Sequence, residues 1–232
     1  MHAQKTKPAS TFRSRTGNRL GRAHKPEDKA LVRQAFIDAG RHLMALEDPA
    51  TVSLRRIAAA AGYSPGTIYH YFQDHHALLI AIRELDMNQA TDRFEALARG
   101  IADPAERVRT LFIDTVNYWL EHLDGFDILF SRPPYRAPLL TSVGVPFGQS
   151  PTVLRSLSVY YDAVDAFFES LPRHPLPARL AADSLIAVTH GLIAFPRATR
   201  TMKWSDTKKM AQAAVDAMLA AWTAQAQAHS HR

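Results

Sequence analysis

Apolar residues recur at every third or fourth position along most of the chain from Pro26 onward, which is the spacing of amphipathic α-helices. The first such segment has acidic residues in its first turn, and it ends before Asp48-Pro49 because a residue that precedes proline disfavours helical geometry. No segment shows the alternation of a half-buried strand and no fixed-period repeat occurs, so the pattern predicts an all-α protein. The same spacing predicts later helices at about 74–99, 104–123, 153–171, 180–197 and 205–225.

Two short helices joined by a glycine turn are predicted between Ser53 and Phe72. Ser53 is a favourable N-cap for the first helix, and Gly62 can end it in a left-handed conformation. Ser64-Pro65 then supplies a second cap with proline at the first helical position, so that a new helix begins almost at once. Two helices connected in this way form a helix-turn-helix, although the spacing alone also fits an ordinary hairpin within a helical core.

The side chains predicted to face outward from the second helix suit DNA. Thr67 offers a methyl group and a hydroxyl to base edges. Three further outward side chains offer hydrogen-bond donors to bases or phosphates: Tyr69, His70 and Tyr71. Gly66 lets the backbone approach a ligand closely, and the free N–H groups after Ser64 can bind phosphate. In the alternative, an ordinary hairpin, the two tyrosines of this helix are simply buried.

The stretch from Ser53 to Leu79, SLRRIAAAAGYSPGTIYHYFQDHHALL, resembles the DNA-binding signature of the TetR family of bacterial regulators. It matches the pattern S/T-L-x-x-I-A-x-x-A-G-V-S-x-G-T-I-Y-x-H-F-x-S-K-E-x-L at most informative positions, and the likeness extends from the helix after Pro26 to near Asp86. The resemblance implies a three-helix DNA-binding domain whose third helix, about Ser64 to Phe72, lies in the major groove. It implies DNA contacts by Arg55, Arg56, Ser64, Pro65, Gly66, Thr67, Tyr69, His70, Tyr71 and His75.

The chain departs from the family pattern at three places. Tyr71 stands where the family often has histidine, and Asp48-Pro49 stands where it usually has a turn glycine, a conformation that Asp tolerates. His75 replaces a lysine that usually binds a phosphate, and His76 replaces the acidic residue that follows it. Because a neutral imidazole holds a phosphate only weakly, we expect His75 to contribute mainly when it is protonated.

The positive charge of the chain is concentrated at its start. Of the 28 Lys and Arg residues, seven lie in residues 1–25, which contain no acidic residue, and the rest of the chain carries 21 basic and 22 acidic residues. Residues 1–25 have too few large apolar residues to fold alone, so we expect them to be disordered when free. They are a solvated leader, an organellar transit peptide or an arm that grips a polyanion.

The arm is the reading that the resemblance favours, since residues 26–80 carry a formal net charge of −1 and attract DNA little by themselves. Arms of this kind strengthen other helix-turn-helix proteins through the minor groove and the DNA backbone. The cations expected to act are Arg13, Arg15, Arg19, Arg22 and Lys25.

A long connection at residues 131–151 contains five prolines and two glycines. Loops of this length tend to be lids, binding loops or disordered segments. Together with nearby helices it predicts a cavity for a small, largely apolar ligand, although each aromatic residue alone fits a plain core. The predicted walls are Trp119, Phe126, Phe130, Tyr135, Phe147 and Tyr161, and three nearby arginines, Arg132, Arg136 and Arg155, are more simply read as solvated.

The charge distribution predicts a basic arm at 1–25, and the resemblance implies a DNA-binding domain at 26–90 followed by a helical effector-binding and dimerisation domain at 91–232. It implies a cytoplasmic homodimer, joined through the last two helices, that represses transcription from a palindromic operator until a small molecule releases it. The alternative from another class is a DNA-organising protein that binds through its arm and has no effector.

Several other functions find no support in the sequence. The absence of cysteine excludes thiolate metal sites and cysteine nucleophiles, and no phosphate-binding glycine loop, serine elbow or H-E-x-x-H motif occurs. His190 is better read as a core or interface residue than as a metal ligand, because no other ligand type stands at suitable spacing near it. The longest uninterrupted apolar stretch, Ala77 to Ile82, is far too short to span a membrane. We therefore expect no enzyme activity, cofactor, metal site or membrane partner.

Deletion of residues 1–22 tests the arm, because it removes six cations. Each phosphate that a cation neutralises steepens the log–log dependence of DNA affinity on salt by about 0.9. We expect the shortened protein to bind DNA more weakly, with a salt slope that is flatter by several units in fluorescence-anisotropy titrations. An unchanged slope would exclude the arm as a DNA ligand.

Overall fold

The computed structural model describes residues 26–48, 51–131, 140–141 and 144–228, so the basic arm lies outside the described residues. The all-α prediction is confirmed, since the described residues form α-helices and no strand. The helices are α1 (Pro26–Leu46), α2 (Leu54–Ala60), α3 (His75–Arg99), α4 (Pro104–Glu121), α5 (Leu123–Phe126), α6 (Pro151–Glu169), α7 (Ala178–Ala198) and α8 (Thr207–Gln227).

The first three helices form a small N-terminal domain, and its helix ends lie where the sequence signals them. The Ser53 hydroxyl accepts a hydrogen bond from the backbone N–H of Arg56, and an Asp74 carboxylate oxygen accepts one from that of Ala77. Gly62 adopts a left-handed conformation with φ of +81° after α2. The fully buried side chains of this core include Phe36, Ile57, Ile68, Leu78 and Ile82.

In the larger domain α4 and α6 pack against α3, α7 packs against α4 and α6, and α8 packs against α4 and α7. Its helices are capped in the same way: Asp103, Ser150 and Asp206 each accept a hydrogen bond from a backbone N–H in the first turn of α4, α6 and α8. The core is rich in aromatic residues, which bury large apolar areas. Its most deeply buried members include Phe94, Phe112, Phe126, Phe167, Phe168 and Leu111.

The end of α4 differs from the prediction. The helix expected to reach residue 123 stops at Glu121, and the short α5 and one π-helical turn, Asp127–Ser131, follow it. This places Ser131, the first residue of the proline-rich connection, in helical geometry. Residues 132–139, which include Tyr135, Arg132 and Arg136, lie outside the described part of the chain.

The composition of α7 bears on whether the chain has a membrane-spanning helix. By length and composition α7 is apolar enough to cross a membrane, with a mean hydropathy of 1.3 in its most apolar window. Only 28% of that window is buried inside the structure. The longest uninterrupted apolar stretch of the sequence is short, whereas α7 reaches this average despite Asp183 and His190.

A group of charged residues joins the two domains. Arg41 on α1 donates from Nε to the Asp86 carboxylate on α3 at 2.5 Å, and its Nη1 lies 3.0 Å from an Asp124 oxygen on α5. The Asp86 side chain is only 3% exposed. Burial raises the pKa of the Asp86 carboxyl, and the neighbouring Arg41 guanidinium opposes this. Arg41 is therefore the cation that compensates a buried carboxylate at the domain junction.

Substitution of Arg41 by alanine tests this junction. The change leaves Asp86 buried without its cation, so we expect the protein to lose about 3 kcal/mol of unfolding free energy. The loss is measured by chemical denaturation followed by far-ultraviolet circular dichroism.

The matched control is Arg93→Ala, which removes a bidentate partner of Asp114 from the surface. An exposed pair of this kind is worth less than about 1 kcal/mol. Equal losses in the two variants would show that burial of Asp86 does not make the junction special.

Candidate nucleic-acid interface and ligand cavity

The segment expected to be the third helix has a different local structure. In place of an α-helix from Ser64 to Phe72, the structure has a turn followed by one 3-10 turn, Ile68–His70. The backbone N–H of Thr67 donates to the Ser64 carbonyl at 2.9 Å, and that of His70 to the Thr67 carbonyl at 3.1 Å. Helical bonds of the α type are disfavoured here because Pro65 has no N–H to donate and Gly66 has low helix propensity.

The Ser64 hydroxyl does not cap a backbone N–H as the sequence suggested. It lies 2.8 Å from the Thr67 hydroxyl, so the two side chains share a hydrogen bond. Thr67 is half-buried, whereas Ser64, Pro65 and Gly66 are exposed. The tip of the segment therefore presents backbone and small side chains to solvent.

One face of this segment is anchored in the core, and the other is open. Ile68 is fully buried and Phe72 is 2% exposed. On the opposite face Tyr69 is 51% exposed and His70 is also exposed. Tyr71, which we expected to face outward, is half-buried with its ring 5.6 Å from that of Phe36. Tyr71 packs inward because Phe36 of α1 offers an aromatic surface directly beside it.

The two arginines of α2 have different surroundings. Arg56 donates two hydrogen bonds to Glu47, at 2.8 and 2.6 Å, and this contact lowers the pKa of the Glu47 carboxyl. Arg55 is exposed and forms no ion pair among the described residues. His75, at the start of α3, is half-buried. Of the two arginines, Arg55 is the one whose charge is available to a phosphate backbone.

A cavity of about 420 Å³ lies within the larger domain. Three of the predicted wall residues, Trp119, Phe126 and Phe130, line it. Phe147 instead lies beside the guanidinium of Arg83, and Tyr135 lies outside the described residues. The described lining is mostly apolar and consists of Met87, Phe94, Trp119, Phe126, Phe130, Val153, Ser156, Leu157, Tyr160, Ile186, Ala187, His190, Gly191 and Ala194.

Tyr161 does not line this cavity, and its neighbour Tyr160 does. The Tyr161 hydroxyl donates to Asp183 at 3.0 Å, and the Arg179 guanidinium lies 3.9 Å from the centre of its ring. Adjacent residues on a helix point in directions about 100° apart, so the sequence could place an aromatic residue on α6 without fixing which tyrosine faces inward. Tyr160 is 5% exposed, and burial raises the pKa of its phenol.

The imidazole of His190, which we expected in the core or at an interface, lines the cavity. Nδ1 of His190 lies 2.9 Å from the Ile186 carbonyl, and its ring lies 4.8 Å from Phe130 and 6.1 Å from Phe126. Burial lowers the pKa of His190, so the ring is neutral at pH 7. Within the described part of the chain, no cluster of three or more metal-ligating side chains occurs.

Arg155 is held by acidic residues of α3. It donates to Glu95 at 2.8 and 2.9 Å and to Asp92 at 2.6 Å, at the surface between α6 and α3. Its guanidinium therefore links two helices and does not line the cavity.

A second, more open cleft of about 490 Å³ separates the end of α1 from the end of α7. Its described walls carry charges of both signs, and one of its arginines, Arg197, pairs with Asp127 at 2.5 Å. The aromatic cavity is the better candidate for a largely apolar ligand, because its walls offer apolar area and few polar groups.

The N-terminal part of the chain matches a known family of DNA-binding proteins. Residues 36–82 match the family model of bacterial regulatory proteins of the tetR family. Over 78 residues the chain is 31% identical to an uncharacterized HTH-type transcriptional regulator of Mycobacterium tuberculosis strain H37Rv, and equally so to one from strain CDC 1551. The match covers 34% of this chain and 39% of each relative, so it spans well under half of the relatives' length.

The fold of most of the chain is also that of known regulators. The transcriptional regulator FadR from Bacillus subtilis, solved in complex with stearoyl-CoA, superposes with a TM-score of 0.61 at 17% identity, over 80% of this chain and 97% of FadR. A TetR family transcription regulator from Marinobacter aquaeolei VT8 gives a TM-score of 0.61 at 21% identity, over 85% of this chain and 98% of that one. Residues 36–82 therefore match the tetR family of bacterial regulatory proteins, and most of the chain shares the fold of solved transcriptional regulators.

Proposed function

We propose that the protein is a dimeric transcriptional repressor that binds a palindromic operator and is released from it by a small, largely apolar ligand. The observation that carries the proposal is that α3 contributes both to the N-terminal core and to the cavity of the larger domain. Leu78 and Ile82 at its start belong to the core of the DNA-binding domain, and Met87 and Phe94 further along line the aromatic cavity. A ligand in the cavity therefore contacts α3, the helix that packs against the segment proposed to read DNA, Ser64 to Phe72, which is called the reading segment below.

The DNA contacts proposed are those of the open face of the reading segment. Tyr69 is half-exposed although it directly follows the buried Ile68, and an exposed hydroxyl at this position suits a phosphate oxygen. Gly66 and Thr67 lie at the tip, where the backbone can approach base edges. Arg55 adds a cation, and the basic arm, outside the described residues, adds the non-specific attraction that this domain lacks.

The proposed dimer forms through α7 and α8. Leu180 and Phe195 on α7 are 54% and 56% exposed, and most of this apolar helix is not covered within one chain. Small exposed residues recur at three- and four-residue spacing on both helices, which allows close approach of a second copy in a four-helix bundle. They are Ala187, Gly191, Ala194 and Ala198 on α7 and Ala213, Ala217, Ala220 and Ala224 on α8.

The proposed release passes from the cavity to the domain junction through residues in contact. Trp119 lines the cavity and lies close to Gly125, whose Cα is so near Asp86 that an added Cβ would lie 3.3 Å from its carboxylate. Asp86 in turn holds Arg41 of α1. A ligand that displaces Trp119 or Phe126 changes the packing beneath this ion pair. A coupling of about 1 to 3 kcal/mol would weaken DNA binding by about 5- to 150-fold.

The fold relative FadR was solved with stearoyl-CoA, which supports a ligand-responsive role for this chain without naming its ligand.

The arm-driven DNA-organising protein remains the second candidate, favoured by the charge of residues 1–25. Selection from a random DNA library separates the two. A repressor enriches one two-fold symmetric motif, whereas an organising protein enriches none.

Replacement of Tyr69 by phenylalanine tests the reading segment. The change removes one hydroxyl from an exposed side chain, and a hydrogen bond to a charged group contributes about 1.5 to 3 kcal/mol. We expect the affinity for the selected DNA to fall by about 10-fold or more, measured by anisotropy at constant salt.

The control is Tyr161→Phe, which removes a hydroxyl that donates to Asp183 in the other domain. We expect its DNA affinity to equal that of the unaltered protein. If Tyr69→Phe also binds like the unaltered protein, the Tyr69 hydroxyl is not a DNA contact.

Substitution of Ala217 by arginine tests the dimer. Ala217 is exposed on α8, so one chain tolerates the longer side chain, but a closely packed partner helix does not. We expect sedimentation velocity to show a shift from dimer to monomer, together with a large loss of operator affinity.

The matched control is Ala96→Arg, at an exposed alanine on α3 outside the proposed interface. This variant should sediment as the unaltered protein does. A dimer that persists in the Ala217 variant would place the interface on another surface.

A further inference from the structure

The described walls of the aromatic cavity carry no formal charge at neutral pH. Their polar side chains are His190, Tyr160 and Ser156, and the others are aliphatic or aromatic. A carboxylate or phosphate transferred into such a site loses its hydration without gaining a counter-ion, which is strongly unfavourable. Arg155, the one of the three arginines near the proline-rich connection that the structure describes, is already bound to Glu95 and Asp92. The wall chemistry therefore favours a ligand without charge.

The proton positions around Tyr160 follow from its partner. The Thr115 hydroxyl donates to the Leu111 carbonyl at 2.8 Å, which uses its only hydrogen. Its 3.0 Å contact with the Tyr160 hydroxyl therefore has Tyr160 as the donor. The phenol oxygen is left with lone pairs and no hydrogen to offer a ligand.

The same reasoning fixes the tautomer of His190. A carbonyl oxygen can only accept, so the 2.9 Å contact with the Ile186 carbonyl places the hydrogen on Nδ1. In a neutral ring Nε2 then carries a lone pair and accepts. No hydrogen bond to Nε2 occurs among the described residues, and the ring lines the cavity. The cavity thus presents an imidazole acceptor that a ligand can satisfy.

The shape of the walls suits a flat ring system. Phe126 lies nearly parallel to the His190 ring, with an interplanar angle of 27°, while Phe130 meets it edge-on at 78°. Trp119 approaches Phe130 edge-on, with ring centres 5.6 Å apart. Aromatic rings prefer these offset and edge-to-face arrangements with one another. The volume of about 420 Å³ lies towards the lower end of small-molecule sites, which span roughly 300 to 1,000 Å³.

We propose that this cavity selects an uncharged, mainly aromatic ligand that donates a hydrogen bond to Nε2 of His190, and that it discriminates against carboxylates of similar size. The inference rests on the proposed ligand-responsive function and names the chemistry of the ligand. His190 acts as the specificity-determining residue, because an unpaired lone pair in an apolar site penalises a ligand that cannot donate.

Three naphthalene derivatives of similar size test the proposal by isothermal titration calorimetry with the full chain. 2-Naphthol is neutral and donates a hydrogen bond, 2-methoxynaphthalene is neutral and cannot donate, and 2-naphthoate is an anion. We expect 2-naphthol to bind about 10-fold more tightly than 2-methoxynaphthalene, and 2-naphthoate to bind most weakly. Equal affinities for the first two, tighter binding of the anion, or no binding by any of the three would overturn the proposal.

Substitution of His190 isolates its part. In His190→Leu we expect the affinity for 2-naphthol to fall about 10-fold while that for 2-methoxynaphthalene stays within about twofold, which also shows that the cavity is intact. His190→Gln retains an acceptor oxygen and is expected to keep part of the preference, and it replaces the leucine variant if that protein does not fold. His42→Leu, at an exposed histidine of α1, is the control and should bind all three compounds as the unaltered protein does.

Titration of the selected operator DNA with the same protein distinguishes a failure of the ligand inference from a failure of the proposed function. Specific operator binding together with a failed preference for 2-naphthol overturns the ligand inference alone. Failure to bind any specific DNA overturns the proposed function, whatever the naphthalene derivatives show.

Discussion

The ion pair between Arg41 and Asp86 is the constraint on which the arrangement of the two domains depends. A carboxylate that is 3% exposed has a large desolvation cost, and the guanidinium that offsets it comes from α1 of the same domain. Arg41 also contacts Asp124, so that α1, α3 and α5 meet at one point. One Asp86 oxygen, Oδ2, has no hydrogen-bond partner among the described residues.

The position of the reading segment relative to the larger domain depends on these contacts of Arg41. Ile68 and Phe72 fix one face of the segment in the N-terminal core, and Phe36 of α1 supports Tyr71 from the side. Because α1 is tied to α3 and α5 through Arg41, the exposed face that carries Tyr69 has a defined direction relative to the larger domain. Two copies related by a two-fold axis would then hold two reading segments at one fixed separation.

The local signals in the sequence were the reliable ones. Ser53, Gly62 and Asp74 lie at helix ends because capping and left-handed turns depend on residues within three or four positions of one another. The recurrence of apolar residues at helical spacing predicted the all-α fold class. The cavity was predicted in outline, because α4 and α5 place Trp119 and Phe126 on the inner side of the larger domain.

Features that depend on contacts between distant parts of the chain could not be predicted from the sequence. Arg56 is neutralised by Glu47 across the connection between α1 and α2, and Tyr71 turns inward because Phe36 lies beside it. The phase of α6 selects Tyr160 for the cavity, and a helical period alone does not distinguish it from its neighbour. The role proposed for His190 needed the carbonyl of Ile186 and the surrounding rings, because only these assign its proton and its accessible nitrogen.

The fixed separation of two reading segments is the central claim, and footprinting on operators of altered length tests it most directly. We expect two protected half-sites with centres one helical turn, about 10 base pairs or roughly 34 to 36 Å, apart. We also expect insertion of about 5 base pairs between them to abolish binding, because half a turn moves one half-site to the opposite side of the duplex. Continuous protection along the DNA, or full affinity for the lengthened operator, would contradict it.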